Sequence, residues 1–123
     1  MDIYHDHILE HARHPRNAGR LMNPTHQSKA QNALCGDEAE IFLSIKSGVI
    51  REVGFEIQGC ILSRATLSII SEQAKNKKPG VIAKWNAADI FAFLGFTPTP
   101  SRAKCALFGF EALQALVRGG KTK

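Results

Sequence analysis

The stretch AEIFLSIKSGVIREVGFEIQGCILSRATLSIISEQAK, residues 39–75, decides the fold. In its first part Ala39, Ile41, Leu43 and Ile45 alternate with Glu40, Phe42, Ser44 and Lys46, the period of two that a half-buried strand requires. Ser47 and Gly48 supply a turn, after which Val53, Phe55 and Ile57 alternate with Gly54, Glu56 and Gln58, so the two runs read as a β-hairpin. Gly59 ends the second strand. From Ile61 to Lys75 the period becomes helical, with Leu62, Ala65 and Ile69 on one face, which places Cys60 at the opening of a helix.

Outward from this centre, residues 2–14 read as a helix. Asp2 is its N-cap, Ile3, Ile8, Leu9 and Ala12 form its apolar stripe, and Pro15 stops it. Residues 15–25, with Pro15, Asn17, Gly19, Asn23 and Pro24, form an irregular connection, and a short strand is expected after it. Downstream, Lys78-Pro79-Gly80 breaks the chain, and a weaker helical pair runs through Trp85 and Ile90 to Leu94. Thr97-Pro98-Thr99-Pro100 reads as a stiff extended loop before a last helix from near Ser101 to Gly119-Gly120. That helix is apolar on nearly all sides, which predicts deep packing and puts Cys105 in its first turn or two. No repeat or long linker divides the chain, so residues 1–123 are expected to form one domain.

With 44% hydrophobic residues, the chain holds enough apolar material for a core without a disulfide framework, and its three cysteines are an odd number. The start, MDIYHDH, lacks the basic and apolar runs of a secretory signal, and no stretch is long enough to span a bilayer. These features predict a cytoplasmic protein whose cysteines serve chemistry, with no membrane association. The net charge of +5 and pI near 9.4 raise nucleic acid as a ligand, but the basic residues are scattered. Their densest groups, Lys75 with Lys77 and Lys78, and the tail Arg118, Lys121 and Lys123, suit a helix C-terminus and a solvated end. With no aromatic stacking pattern, nucleic acid is not an expected partner; an acidic protein is the better match.

The chemistry-bearing residues are Cys35 and Asp37 in C-G-D, Cys60 in Q-G-C and Cys105 in R-A-K-C. Three thiolates and one carboxylate make a four-ligand set for zinc or iron, and the harder carboxylate would make that set exchangeable where four thiolates would close it. A cysteine at a helix N-terminus is biased towards thiolate by the helix dipole, and Lys104 and Arg102 add positive charge beside Cys105. The plain alternative is that each cysteine is a packed core residue and Asp37 a turn or cap residue, for spacings of 25 and 45 residues match no compact zinc finger. His7, His11 and His14 share one helical face, which reads either as a metal site or as a solvated or partner-facing surface.

Four ordered motifs carry a family resemblance: Tyr4-x3-Ile8-x2-His11-x3-Pro15-Arg16-Asn17-x-Gly19, Cys35-Gly36-Asp37, Gly59-Cys60-x2-Ser63-x-Ala65-Thr66-x-Ser68, and Arg102-x-Lys104-Cys105. Along nearly its whole length the chain resembles the IscU/SufU/NifU N-terminal family of iron–sulfur cluster assembly scaffolds. The resemblance implies an α+β fold, with a small antiparallel sheet of about three strands packed against several helices. It also implies that Cys35, Asp37, Cys60 and Cys105 converge at one exposed end to hold a nascent 2Fe-2S cluster or a zinc ion. A cysteine desulfurase would deliver persulfide sulfur, to Cys105 in the first instance, and the cluster would pass to iron–sulfur acceptor proteins, with no substrate turned over in the usual sense. The chain departs from the IscU pattern in two places. Lys104 stands where those proteins have histidine, and Thr97-Pro98-Thr99-Pro100-Ser101 stands where they carry the Leu-Pro-Pro-Val-Lys segment read by a chaperone. Lys104-Cys105-Ala106 is closer to SufU-type sulfur acceptors, yet their insertion before the third cysteine is absent. Arg64 adds a charge near the site, either to tune thiolate stability or to contact a partner.

Overall fold

The alternating stretch forms two long strands, β2 (Asp37–Lys46) and β3 (Val49–Gln58), paired antiparallel through a turn at Ser47 and Gly48. Both turn residues have positive φ, 55° and 76°, the conformation a two-residue hairpin needs to match strand twist. A third strand, β1 (His26–Asn32), pairs antiparallel with the other side of β2, giving the order β1-β2-β3. The computed structural model describes residues 6–32 and 36–119, so the Asp2 cap, Ile3 and Cys35 lie outside the described residues. A register shift after Ser44 pairs Ile45 with Ile50 and keeps both on the core side.

Among the described residues, five helices complete the α+β fold: α1 (Asp6–Arg13), α2 (Ile61–Ala74), α3 (Pro79–Ala83), α4 (Ala87–Leu94) and α5 (Pro100–Val117). Helices α2 and α5 lie against the sheet and each other, and α1 packs on α2. Ile41, Leu43, Val53 and Phe55 from the sheet, Leu62 and Ile70 from α2, Ile8 from α1 and Leu113 from α5 belong to one apolar cluster, each at most 5% exposed. The contact between α2 and α5 is close enough that a Cβ at Gly109 would run into the Leu67 side chain.

One expectation is extended and one corrected. Helix α2 buries more than the apolar face of Leu62, Ala65 and Ile69: Ser63, Thr66, Ser68 and Ser71 are buried along with its apolar residues. Pro100 belongs to α5 rather than to the loop before it, because the first helical position needs no N–H donor and suits the fixed φ of proline.

The far face of the sheet is covered by the segment after α1. Gly19 N–H donates to the Phe55 carbonyl (2.7 Å), and Arg20 stacks over Phe42 (4.7 Å) while pairing with Glu40 and Glu56. Gly54 permits this crossing, since a Cβ there would come within 2.5 Å of the Gly19 carbonyl oxygen.

Candidate metal centre

Three elements begin at the same end of the molecule, and each brings one candidate ligand. Asp37 is the first residue of β2, opposite Asn32 of β1, and is 5% exposed. Just before it, Gly36 adopts φ 74° and donates its N–H to the Asn32 carbonyl (2.8 Å). Cys60 follows β3 after a single glycine and caps α2, its sulfur accepting from the Ser63 N–H (3.5 Å). Cys105 lies on α5. It is the sixth residue of that helix, in the second turn, so the helix N-terminal field expected at both cysteines acts on Cys60 and is much weaker at Cys105.

The donor atoms of Asp37, Cys60 and Cys105 all lie within 4.8 Å of one another, and both cysteines are half-buried rather than sealed in the core. In a tetrahedral zinc site such donors stand about 3.3–3.8 Å apart, so small side-chain adjustments suffice to close the shell. Two sulfurs and one carboxylate oxygen are a donor set that suits zinc or iron. Among the described residues, no other three histidine, cysteine, aspartate or glutamate side chains converge in this way.

One residue that the sequence reading quoted within a motif, without assigning it a role, ties the cluster together. Ser63, fully buried, donates its hydroxyl to Asp37 Oδ2 (2.9 Å); the same Oγ lies 3.1 Å from the Cys105 carbonyl oxygen and 3.4 Å from Cys60 Sγ. Its sequence signals are its place in the Gly59-to-Ser68 motif and its position three residues after an N-cap. Gly59 leaves room for the carboxylate, because a Cβ there would stand 3.1 Å from Asp37 Oδ1 and 3.3 Å from the Ser63 Cβ. Burial pushes the Cys60 thiol up, but hydrogen bonds from Ser63, from the Leu62 N–H group and from Cys105 outweigh it, and the thiol titrates below its ordinary value.

The remaining candidates have other employment. His7 Nε2 bonds the Leu94 carbonyl (2.8 Å), and His11 Nδ1 bonds Ser68 Oγ (2.6 Å) with Glu72 3.9 Å from its other nitrogen. His7 and His14 are exposed and His11 is half-buried, and among the described residues this face of α1 gathers no three-ligand metal site. Arg64 donates to the Ala12 carbonyl (2.8 Å) at the end of α1, a fastening role that neither sequence expectation anticipated. Lys104 is exposed and lines a cleft of about 460 Å³ with Gln31, Asn32, Leu107 and Glu111.

The sequence matches the NifU-like N-terminal domain family over residues 3–122. It is 27% identical to the iron–sulfur cluster assembly scaffold protein IscU 1 of Archaeoglobus fulgidus, over 94% of this chain and 74% of that one. Against the zinc-dependent sulfurtransferase SufU of Bacillus subtilis the identity is 25%, over 91% and 87% of the two chains. The fold superposes on a SUF-system scaffold protein structure from Fervidobacterium islandicum with a TM-score of 0.82 at 24% identity, covering 94% of this chain and 96% of the other. The chain belongs to the NifU-like N-terminal domain family.

Proposed function

We propose that this chain is an iron–sulfur cluster assembly scaffold that accepts sulfur from a cysteine desulfurase, binds iron, and holds a nascent 2Fe-2S cluster for transfer to acceptor proteins. The observation that carries the reading is the meeting of Asp37, Cys60 and Cys105, from three separate elements, within 4.8 Å. Cys35, two residues before Asp37, is the fourth ligand in this proposal. Sulfur arrives when a thiolate, assigned to Cys105, attacks the outer sulfur of the desulfurase persulfide. A new S–S bond forms, the desulfurase thiolate leaves, and no outside oxidant is required. Capping hydrogen bonds at the start of α2 stabilise negative sulfur at Cys60. Asp37 supplies a hard oxygen that keeps the assembled cargo exchangeable. The work is that of a carrier in the reducing cytoplasm, and no helix among the described residues is long and apolar enough to cross a membrane.

A second reading is favoured by the likeness to the zinc-dependent sulfurtransferase and by Lys104 beside Cys105. Here Cys35, Asp37, Cys60 and Cys105 hold zinc, whose charge keeps the thiols deprotonated. The chain then relays sulfur rather than assembling a cluster.

Anaerobic purification with zinc and iron analysis, followed by reconstitution with iron, cysteine and a desulfurase, tests both. The scaffold reading predicts visible sulfur-to-iron absorbance that passes to an apo-acceptor and lasts longer in Asp37→Ala. Tightly held zinc with faster desulfurase turnover and no cluster would favour the second. Absence of both, with slow thiol labelling, would overturn the two together in favour of a binding domain with inert cysteines.

A further inference from the structure

Of the buried hydroxyls on α2, Thr66 and Ser71 bond back to their own helix, to the carbonyls of Leu62 (2.8 Å) and Ser68 (2.7 Å), as serine and threonine within helices commonly do. Ser63 does not. Its hydroxyl leaves the helix for Asp37 Oδ2 on β2 (2.9 Å) and lies near the Cys105 carbonyl oxygen on α5 (3.1 Å). The helix cap does not need that hydroxyl, because the bond to Cys60 Sγ comes from the Ser63 backbone N–H, which any residue but proline would supply. A hydroxyl has a single proton, and of the three acceptors near it the carboxylate oxygen at 2.9 Å is closer than the Cys105 carbonyl oxygen (3.1 Å) and Cys60 Sγ (3.4 Å).

We propose that Ser63 is a positioning residue for the metal centre: its buried hydroxyl holds Asp37 by one carboxylate oxygen, so that Asp37 meets the ion as a one-oxygen ligand. The inference rests on the metal-binding reading given above and deepens it. An untethered carboxylate can swing away or bind through both oxygens, and a tethered one keeps a single oxygen in place beside the two sulfurs. Outer-shell partners of this kind typically change metal affinity 10–100-fold when removed.

The test uses the full chain, with zinc affinity measured by chelator competition and Co(II) absorption read in parallel. Ser63→Ala is expected to weaken zinc binding 10–100-fold and to lower the Co(II) ligand-field intensity as the carboxylate turns bidentate, while Ser63→Thr, which keeps the hydroxyl, stays within about threefold of wild type. In the Asp37→Ala background, Ser63→Ala should add less than about threefold, since a residue acting through Asp37 has nothing left to hold. This pair also answers the concern that Ser63→Ala strands a buried carboxylate and unfolds the chain, because both of its members lack that carboxylate. Wild-type affinity in Ser63→Ala, or losses that multiply in the double variant, would overturn the inference and leave the metal centre standing. A wild-type chain that binds neither ion would overturn both.

Discussion

Helix α2 carries two polar clusters that differ in what they leave available. At its N-terminal end, Cys60 and Ser63 face Asp37 and Cys105, and the two sulfurs stay half-buried. Towards its middle, Arg64, Ser68 and Ser71 fasten the chain leaving α1. Arg64 holds the Ala12 carbonyl, Ser68 takes His11 and the Arg16 N–H (2.8 Å), and Ser71 takes the Asn17 amide (2.9 Å), with the Arg16 carbonyl oxygen 3.3 Å from its Oγ. The second cluster satisfies polar groups with one another and so contributes to folding. The first gathers soft ligands in one place and keeps them reachable, which is what an external ion requires. The difference teaches that polarity on a buried helix serves structure where it is internally paired and function where donor capacity is left over.

The contrast predicts that changes at the site move metal binding and spare the fold, while changes elsewhere do the reverse. The largest effect is expected from Cys60→Ser, which keeps a capping oxygen but loses a soft ligand: zinc affinity by chelator competition should fall more than about 100-fold, above the range for outer-shell partners, with the metal-free urea midpoint nearly unchanged. Gly109→Ala presses a methyl group into Leu67 and should cost about 2 kcal/mol in urea unfolding, with zinc affinity of the folded protein unchanged. Arg64→Ala removes a charged donor from the end of α1 and should cost about 1.5 kcal/mol by the same measurement, while zinc affinity stays within about twofold. An Arg64 variant that binds zinc tenfold more weakly would merge the two clusters into one and break the comparison.

The smallest effect is a pH dependence in the fastening cluster. His11 titrates below its ordinary value of 6.5, first because it is buried and next because Arg16 is close, with His7 adding to this and Glu72 and Glu10 opposing it. The unfolded chain therefore binds more protons at this residue than the folded chain does. Its contribution to stability is complete above about pH 6.5 and is lost as pH falls through the lower folded value. Urea midpoints at pH 7.5 and 5.5 should separate further in wild type than in His11→Gln; an equal separation would show that His11 takes no part.

The hairpin was legible because Ala39 to Ile45 and Val53 to Ile57 alternate, with Phe42 the one large apolar residue out of phase, and α5 because its apolar residues recur on every side. The strand HQSKAQN at β1 carried one apolar residue, Ala30, and could be expected only as something short after residue 25, since an edge strand draws its order from pairing with β2. Ser63, Thr66, Ser68 and Ser71 hid how much of α2 is buried, for a hydroxyl satisfied inside the protein looks in sequence like one facing water. The candidate ligands could be named from their residue types and from resemblance. Their approach could not be read from spacing, because it depends on β3 turning into α2 at Gly59 directly beside the start of β2.

In the proposed function Asp37, Cys60 and Cys105, with Cys35, take hold of one ion. X-ray absorption fine structure at the zinc edge of the zinc-loaded chain tests it most directly. The account predicts three sulfurs at about 2.3 Å and one oxygen at about 2.0–2.2 Å, with that oxygen replaced or lost in Asp37→Ala and the sulfurs kept. A shell of nitrogen and oxygen alone, or zinc that does not bind in a one-to-one ratio, would contradict it.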